Sequence, residues 1–367
     1  MSTVFRSGIG NNHTVRIPAL VAVGPLLVAF CEGRRDSSSD TGEIVIQAAT
    51  SADGGQSWSA PVETTAVPGR TCGNPMPVVL DEQTVLLVST SNAAHAHERD
   101  IIAGRVGADE GRRVHSQRIS VPDLVATPAV DITDQAKRDD WGWYATGPGH
   151  GIRLARGPHR GRIVVPANHS VIDGPGRSVY GAHLLLSDDD GRTWRIGHVE
   201  PGVAGCSGPN ESSATELGEG QVVVSIRNQC SGDDEVTRAF LVSDDGGVSG
   251  TLEPHGEITM PRIQSSVTTA QLDGRAVLVM SGPCDPRERA AMGLRLSVTG
   301  GRTWTEPWIL GPGPAAYSDL AVDRDGVVHL VHECGEQSPY ERIAHVAVDP
   351  SVLAERTGLA ERTGLDR

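Results

Sequence analysis

The chain has 367 residues, and its 46 acidic and 32 basic side chains give a formal net charge of −14. An acidic chain without a basic run argues against nucleic acid and anionic membrane surfaces as partners. Its 44 glycines and 23 prolines are typical of a chain with many tight turns. No segment is long and apolar enough to span a bilayer, so we expect no membrane insertion.

The N-terminus lacks the apolar core of a signal peptide. We therefore expect a cytoplasmic protein, or a secreted one if an export segment is missing from the sequence. The six cysteines show no CxxC spacing, which favours free thiols over disulfides. The histidines form no recognisable metal-binding pattern, so the sequence implies no metal and no organic cofactor. It does not indicate the oligomeric state.

Short apolar runs recur between turn signals along most of the chain, which predicts many short strands. Convincing helical periodicity is absent, except in the tail after Ser351. The runs are, in chain order, Leu26–Phe30, Thr84–Val88, Ile163–Val165, His183–Leu186, Gln221–Ile226, Ala276–Met280 and Val327–Val331.

An eight-residue pattern occurs four times: Ser, any, Asp, any, Gly, any, Ser or Thr, Trp. Two copies are complete, the third has Gly250 in place of Trp, and the fourth has Thr299 in place of Asp. The pattern predicts a hairpin turn, because Ser and Asp side chains bond nearby backbone N–H groups and Gly adopts a positive φ. The closing Trp can pack between neighbouring strands. The copies are Ser51–Trp58, Ser187–Trp194, Ser243–Gly250 and Ser297–Trp304.

The spacing of the copies indicates the architecture. Asp189 and Asp245 are 56 positions apart, and Asp245 and Thr299 are 54 apart. Asp53 and Asp189 are 136 apart, which leaves room for a decayed copy near Ser120–Asp123. A unit of about 55 to 65 residues suits one four-stranded propeller blade. We therefore expect an all-β, six-bladed β-propeller over residues 1–350 and a C-terminal tail over 351–367.

Two motifs near the start, together with the turn repeats, carry a family resemblance. Arg16-Ile17-Pro18 and Glu32-Gly33-Arg34, with Asp40 shortly after, resemble the bacterial and animal sialidases (neuraminidases). That family is a six-bladed β-propeller, and the turn repeats resemble its Asp-boxes. The likeness covers about residues 12 to 348. Later matches, in order, are Asn74–Pro77, Trp141–Gly149, Asn210-Glu211, Ser225–Asn228, Ala316–Leu320 and His332-Glu333.

The resemblance implies that three arginines bind the carboxylate of a sialic acid. Arginine suits this role because its charge is permanent and its planar fork matches a carboxylate. Arg16 and Arg227 match the first two positions. The third falls in Asp285–Arg289, where Arg289 is preferred and Arg287 remains an alternative. Arg34 resembles a further substrate-contacting arginine.

The resemblance also implies the reacting groups. Tyr317 matches the family's catalytic tyrosine and Glu211 the base that activates it. A phenol suits the position because a carboxylate nucleophile would be repelled by the carboxylate on the anomeric carbon, whereas a neutral phenol needs only a base. Asp40 matches the general acid, with Asp36 as the nearby rival. Glu333 resembles the carboxylate that orients Arg16.

The expected activity is that of a retaining exo-α-sialidase that cleaves a terminal sialic acid, or a close nonulosonic acid, from a glycoconjugate. A trans-sialidase or intramolecular trans-sialidase with the same site is one alternative. A non-catalytic, sialoside-binding propeller is the other. The sequence does not indicate which nonulosonic acid or which linkage is preferred.

Overall fold

The computed structural model describes residues 1–172, 178–229 and 236–358, and this part of the chain contains 25 strands and three short helices. The chain begins with β1 (Ser2–Arg6), and three groups of antiparallel strands follow. Blade 1 consists of β2 (Thr14–Val23), β3 (Leu26–Arg34), β4 (Ile44–Ser51) and β5 (Val62–Thr65). Blade 2 consists of β6 (Arg70–Asp81), β7 (Thr84–Ala93), β8 (Arg113–Ser120), β9 (Val125–Ala126) and β10 (Val130–Asp131). Blade 3 consists of β11 (Trp141–Thr146), β12 (Ile152–Arg153), β13 (Ile163–Ile172), β14 (Ser178–Ser187) and β15 (Arg195–Glu200).

Three further blades complete the ring. Blade 4 consists of β16 (Pro209–Leu217), β17 (Gln221–Asn228), β18 (Arg238–Ser243) and β19 (Thr251–Pro254). Blades 5 and 6 are built from β20 (Ser266–Leu272), β21 (Arg275–Pro283), β22 (Ala290–Ser297), β23 (Trp308–Val322), β24 (Val328–Cys334) and β25 (Arg342–Val348). The helices are α1 (Glu98–Ile102), α2 (Thr133–Ala136) and α3 (Pro350–Arg356). Within the described ranges, no helix has the length and apolar character needed to cross a membrane.

The predicted six-bladed β-propeller is confirmed, and one long strand links its last two blades. The first half of β23 pairs with β22 in blade 5, and its second half pairs with β24 in blade 6. The outer strand of blade 6 is β1, which pairs antiparallel with β25. The N-terminus therefore completes the last blade, while β2 packs against β23 and joins blade 1 to blade 6. The sequence alone gave no indication of this closure.

The predicted apolar runs mark the second strand of every blade. Six of the seven runs coincide with β3, β7, β13, β17, β21 and β24, and the seventh, His183–Leu186, lies in β14. Val327 alone precedes its strand, by one residue. A second strand is hydrogen-bonded on both sides and covered on both faces, so its sequence is continuously apolar rather than alternating. The burial of β24, where every residue is buried, illustrates the point.

All four Asp-box turns connect the third strand of a blade to its fourth. In each, the first Ser accepts a 2.9 Å hydrogen bond from the N–H of the Gly four residues later. That Gly has a φ between +80° and +92° in the four copies, which explains why glycine is kept there. The site of the predicted decayed copy is equivalent, because Ser120 ends β8, the third strand of blade 2.

The two altered positions are accommodated locally. Thr299 Oγ1 accepts a hydrogen bond from the backbone N–H of Thr303 at 2.9 Å, which replaces one of the bonds that Asp makes in the other turns. In the complete copies, Trp58 and Trp194 pack into hydrophobic clusters shared with a neighbouring blade. Trp304 stacks on Phe240 of blade 4. At Gly250, a Cβ would lie 3.0 Å from Leu241, so this turn packs its own strand closely instead.

We expect Asp189→Ala to destabilise the protein and Asp189→Thr to do so less. The Asp189 carboxylate accepts bonds from the N–H groups of Thr193 and Arg192 and from two hydroxyls. These bonds lower its pKa to about 2. Because the turn is solvent-exposed, the Ala variant should lose about 1 kcal/mol of unfolding free energy at pH 7. The Thr variant should retain part of this free energy, because Thr299 accepts one of the equivalent hydrogen bonds in blade 5.

Urea unfolding at two pH values checks this prediction. The depressed pKa means that the contribution of Asp189 is complete above its unfolded value near 4 and disappears as the pH falls towards 2. The difference between wild type and Asp189→Ala should therefore shrink from pH 7 to pH 3. A difference that is equal at both pH values would contradict the assignment.

The C-terminal tail begins as a helix that packs on the propeller. Its helix α3 is capped by Asp349, whose side chain accepts a hydrogen bond from the N–H of Ser351 at 2.8 Å. Leu353 is fully buried in the hydrophobic cluster between blades 5 and 6. Residues 359–367 of the tail lie outside the described residues.

Candidate active site

Three of the predicted site residues lie at bulges in the innermost strands. In β2, β16 and β23, the pairing with the next strand slips by one residue, which leaves two residues opposite one. Asn210 and Glu211 together oppose Arg227, and Ala316 and Tyr317 together oppose Glu333. Bulges of this kind re-aim side chains and are frequent beside active sites. Glu211 and Tyr317 line one pocket, and the Arg16 guanidinium lies 5.2 Å from the centre of the Tyr317 ring.

The bulge in β2 forces an unusual backbone conformation. Ile17 has a φ of +58°, which is costly for a β-branched residue. Its N–H donates a 2.8 Å hydrogen bond to Glu333 Oε1, and this bond helps to hold the conformation. Strain of this sort is found mainly at functional sites, where the surrounding contacts impose it.

Glu333 organises one side of the site. This fully buried carboxylate accepts bonds from Arg16 Nε at 2.8 Å and from Arg16 Nη2 at 3.3 Å. It also accepts the backbone N–H of Tyr317 at 3.1 Å. One carboxylate on β24 thus fixes both Arg16 of blade 1 and the backbone of Tyr317 in blade 6. The structure thus places Glu333 in contact with Arg16, the residue that the sequence resemblance paired with it.

Tyr317 lies between a carboxylate and a guanidinium. Its hydroxyl donates a short hydrogen bond to Glu211 Oε1. Arg227 Nη1 donates to Glu211 Oε2 and lies 3.3 Å from the Tyr317 hydroxyl. Burial and the charge of Glu211 raise the pKa of Tyr317, although Arg227, Arg16 and Arg289 act in the opposite direction. The phenol is therefore protonated in the free site, with a proton acceptor already in contact.

Arg289, and not Arg287, lies in the pocket. The guanidinium of Arg289 is 5.7 Å from the centre of the Tyr317 ring, whereas Arg287 is exposed on the preceding loop. Arg289 Nη1 donates a 2.6 Å hydrogen bond to the hydroxyl of Tyr340. The ring of Tyr340 also covers the guanidinium of Arg16, at 4.1 Å. Tyr340 therefore holds two of the three arginines, a role that the sequence analysis missed.

Asp40 stands at the rim of the pocket beside Arg34. Its Oδ1 lies 2.7 Å from Arg34 Nη2, while Arg34 also bonds Glu32 Oε2 at 2.8 Å. Partial desolvation raises the pKa of Asp40, but the positive charges of Arg34 and Arg16 outweigh it, so the pKa is lowered. Asp36, the alternative acid, is exposed and is not among the residues that line the pocket.

A pocket of about 240 Å³ brings most of the predicted residues together. The two remaining ones, Arg16 and Glu333, do not line the pocket but contact Tyr317, Arg16 at its ring and Glu333 at its backbone N–H. A shallower groove of about 680 Å³ adjoins the pocket and shares Asp40 and Glu98 with it. The predicted residues that line the pocket are Arg34, Asp40, Glu211, Arg227, Arg289 and Tyr317.

Blade 2 adds a cation to the pocket wall that the sequence analysis also missed. The Arg112 guanidinium is buried and stacks 3.8 Å from the centre of the Trp143 ring. It donates to Thr90 Oγ1 at 3.1 Å and Asn74 Oδ1 at 3.2 Å. Burial lowers its pKa to about 10, so it remains charged at neutral pH. The Trp141–Gly149 match contained Trp143, but nothing in the sequence paired it with Arg112.

The arrangement can bind an anion and can transfer a proton. Arg16, Arg227 and Arg289 come from blades 1, 4 and 5, and all three guanidinium groups surround one phenol. Convergent guanidinium groups bind a carboxylate strongly in a partly desolvated pocket. The carboxylates of Glu211 and Asp40 both border the same pocket. In the part of the chain that the structure describes, no cluster of three or more His, Cys, Asp or Glu side chains could hold a metal ion.

Comparison with known proteins places this propeller in a defined class. Residues 24–330 match the family described as BNR repeat-like domain. The chain is 30% identical to a sialidase of Micromonospora viridifaciens over 87% of its length, and spans half of that protein. It is 30% identical to an exo-alpha-sialidase of Aspergillus fumigatus, over 79% of this chain and 69% of the relative. It is 26% identical to human sialidase-3, over 94% of this chain and 91% of that protein. The chain belongs to the sialidase family, whose members are glycoside hydrolases.

Solved structures agree on the fold. A Hadza microbial sialidase, Hz136, superposes with a TM-score of 0.80 at 22% identity, over 95% of this chain and 68% of that one. The intramolecular trans-sialidase of Ruminococcus gnavus superposes with a TM-score of 0.78 at 16% identity, over 95% of this chain and 97% of that one. At these identities, the likeness concerns the architecture and not the reaction.

Proposed function

We propose that the protein is a retaining exo-α-sialidase that hydrolyses terminal sialic acid, or a close nonulosonic acid, from glycoconjugates. The observation that carries the proposal is the hydrogen bond from the Tyr317 hydroxyl to Glu211, with the guanidinium groups of Arg16, Arg227 and Arg289 around the same phenol. A sialoside carries its carboxylate on the reacting carbon. Binding that carboxylate to the arginines would place the anomeric carbon next to the phenol oxygen.

In the first step, the Tyr317 oxygen attacks the anomeric carbon while its proton passes to Glu211. The glycosidic bond breaks, and Asp40 gives its proton to the departing oxygen. The tyrosine suits this step because it is neutral until it transfers its proton, so the substrate carboxylate does not repel it. The positive charges of Arg227, Arg16 and Arg289 favour the phenolate that develops.

In the second step, Asp40 takes a proton from water, and the water oxygen replaces the tyrosyl oxygen at the anomeric carbon. Two displacements return the original configuration, and the released sugar is the α-anomer. Tyr317 recovers its proton from Glu211. Glu333 contributes indirectly, because it fixes the side chain of Arg16 and the backbone of Tyr317.

A panel of nonulosonic acid α-glycosides, followed by proton NMR, tests the proposal. The panel contains sugars with N-acetyl, N-glycolyl and hydroxyl substituents, each with and without a galactoside acceptor. We expect free sugar that appears first as the α-anomer. A β-anomer would contradict retention, and a transferred or anhydro sugar as the main product would replace hydrolysis by transfer. Tight binding of the glycosides without turnover would mean that the protein is a non-catalytic, sialoside-binding propeller.

We expect the Arg34→Gln substitution to move the alkaline limb of kcat/KM to higher pH. The pH dependence of kcat/KM reports ionisations of the free enzyme. On its alkaline side, kcat/KM falls as Asp40 loses the proton that it must donate. Arg34 lowers the pKa of Asp40 through a contact of 2.7 Å, so removing the cation raises this pKa. The measurement is the pH profile of kcat/KM with a sialyl-galactoside.

Arg35→Gln is the matched control for this profile. Arg35 is the next residue in the chain, but its guanidinium bonds Asn12 and Glu63 instead of the pocket. Its substitution should leave the limb in place. An unchanged limb in Arg34→Gln, or an equal shift in both variants, would refute the coupling between Arg34 and Asp40.

A further inference from the structure

The strand that carries Tyr317 continues into a buried polar cluster on the propeller axis. Tyr317, Ser318 and Asp319 are consecutive in β23, and each is bonded to groups outside that strand. Ser318 and Asp319 are completely buried. Neither residue lines the pocket, so their contacts can act on a bound substrate only indirectly.

Asp319 joins three other blades to the strand of Tyr317. Its Oδ2 accepts the backbone N–H of Leu20 in blade 1 at 2.8 Å. Its Oδ1 accepts the hydroxyl of Ser266 in blade 5 at 2.7 Å and lies 2.9 Å from Nδ1 of His150 in blade 3. Burial lowers the pKa of His150, but the charge and hydrogen bond of Asp319 outweigh it, so the pKa is raised. A Cβ on Gly149 would lie 3.0 Å from Asp319 Oδ1, so the blade 3 backbone approaches closely.

Ser318 is held in the same way. Its backbone N–H donates to Gln264 Oε1 at 3.1 Å, and its carbonyl oxygen accepts from Gln264 Nε2 at 2.9 Å. The same Gln264 nitrogen lies 3.2 Å from the carbonyl oxygen of Pro148 in blade 3. The two residues after Tyr317 are thus bonded to strands and loops of several other blades.

We propose that Asp319, with His150, is a positioning residue that fixes Tyr317 relative to Glu211. A buried ion pair usually adds little net stability, since desolvation of both groups offsets their attraction. Its value here is geometric. Asp319, two residues after Tyr317, ties the inner strand of blade 6 to those of blades 1 and 5, and the ion pair adds the loop between β11 and β12 of blade 3. The proposal rests on the proposed function, in which the Tyr317 oxygen is the nucleophile.

The test compares His150→Ala with His150→Asn, in which the amide nitrogen can replace Nδ1 as a donor to Asp319. We expect kcat for a sialyl-galactoside to fall about 10- to 100-fold in His150→Ala, because small misplacements of a reacting group have effects of this size. KM should stay within about twofold, since the arginines are untouched. His150→Asn should recover most of kcat, and Asp319→Asn should resemble His150→Ala.

Asp323→Asn is the control for a general loss of stability. Asp323 is also in blade 6, and its carboxylate bonds the buried His329 at 3.0 Å, away from the pocket. We expect a lower Tm but an unchanged kcat in this variant. Three results would overturn the positioning role and leave the proposed function intact. They are an unchanged kcat in His150→Ala, an equal loss of kcat in Asp323→Asn, and no recovery of kcat in His150→Asn. An inactive wild type would overturn the function and the positioning role together.

Discussion

Tyr317→Phe should lower kcat by at least about 10³-fold while the protein remains folded, because the substitution removes the attacking oxygen. The effect on stability should be small. The ring stays in its cluster with Met260 and Met280, and Glu211 keeps its bond to Arg227. The measurement is steady-state turnover of a sialyl-galactoside, with thermal unfolding of the same preparations.

Tyr340→Phe is the matched control, since it removes a second phenol hydroxyl from the same site. That hydroxyl accepts from Arg289 Nη1 at 2.6 Å, so its loss should weaken the hold on one arginine and raise KM. We expect kcat to fall less than about tenfold. Similar losses of kcat in both variants would mean that Tyr317 acts through general packing or polarity and not as the nucleophile.

Asp40→Ala should affect substrates according to how much help their leaving group needs. A galactoside oxygen must be protonated as it departs, so kcat/KM for a sialyl-galactoside should fall about 10²- to 10⁴-fold. An aryl sialoside releases a stable phenolate, and its kcat/KM should fall by about tenfold or less. Because Asp40 also activates water, the aryl substrate should show a burst of one phenol per enzyme, followed by slow turnover.

The control for Asp40 lies in the same loop. Asp36→Ala removes a carboxylate that is exposed and does not line the pocket. It should leave both substrates unaffected. Equal losses for the galactoside and the aryl substrate in Asp40→Ala would contradict an acid role, and a selective galactoside loss in Asp36→Ala would assign that role to Asp36.

Sequence repeats were enough to predict the architecture. The Asp-box turns fall at one topological position, between the third and fourth strands of blades 1, 3, 4 and 5. The apolar runs mark the doubly paired second strands. Both signals are local, so they can be recognised in the sequence without knowledge of the tertiary structure. The closing of blade 6 by β1 has no local signal, because Ser2–Arg6 differs little from other short strands.

The candidate site was predictable where one motif holds both the residue and its context. Arg16, Glu211 and Tyr317 each lie in a short matching segment, at or beside a bulge of an inner strand. Tyr340 and Arg112 were missed, because their roles depend on stacking partners from other blades. Contacts across a ring follow from how blades are arranged, and neither spacing nor periodicity encodes them.

The choice between Arg287 and Arg289 illustrates the same limit. Both follow Asp285, whose carboxylate caps the N–H groups of Arg287 and Glu288. This turn leaves Arg287 exposed and directs Arg289 towards Tyr340. Composition does not distinguish two arginines two positions apart, whereas the turn geometry does.

Covalent trapping with a 2,3-difluoro sialic acid tests the central claim most directly. Fluorine at C3 slows both displacements, and a fluoride leaving group at C2 favours the first, so the glycosyl-enzyme should accumulate. After digestion with trypsin, Tyr317, Glu211 and Asp40 fall in different peptides, because arginines separate them. We predict one added sugar per chain, located on Tyr317 and absent from Tyr317→Phe. A sugar on Glu211 or Asp40, or full inactivation without any adduct, would contradict a tyrosyl intermediate.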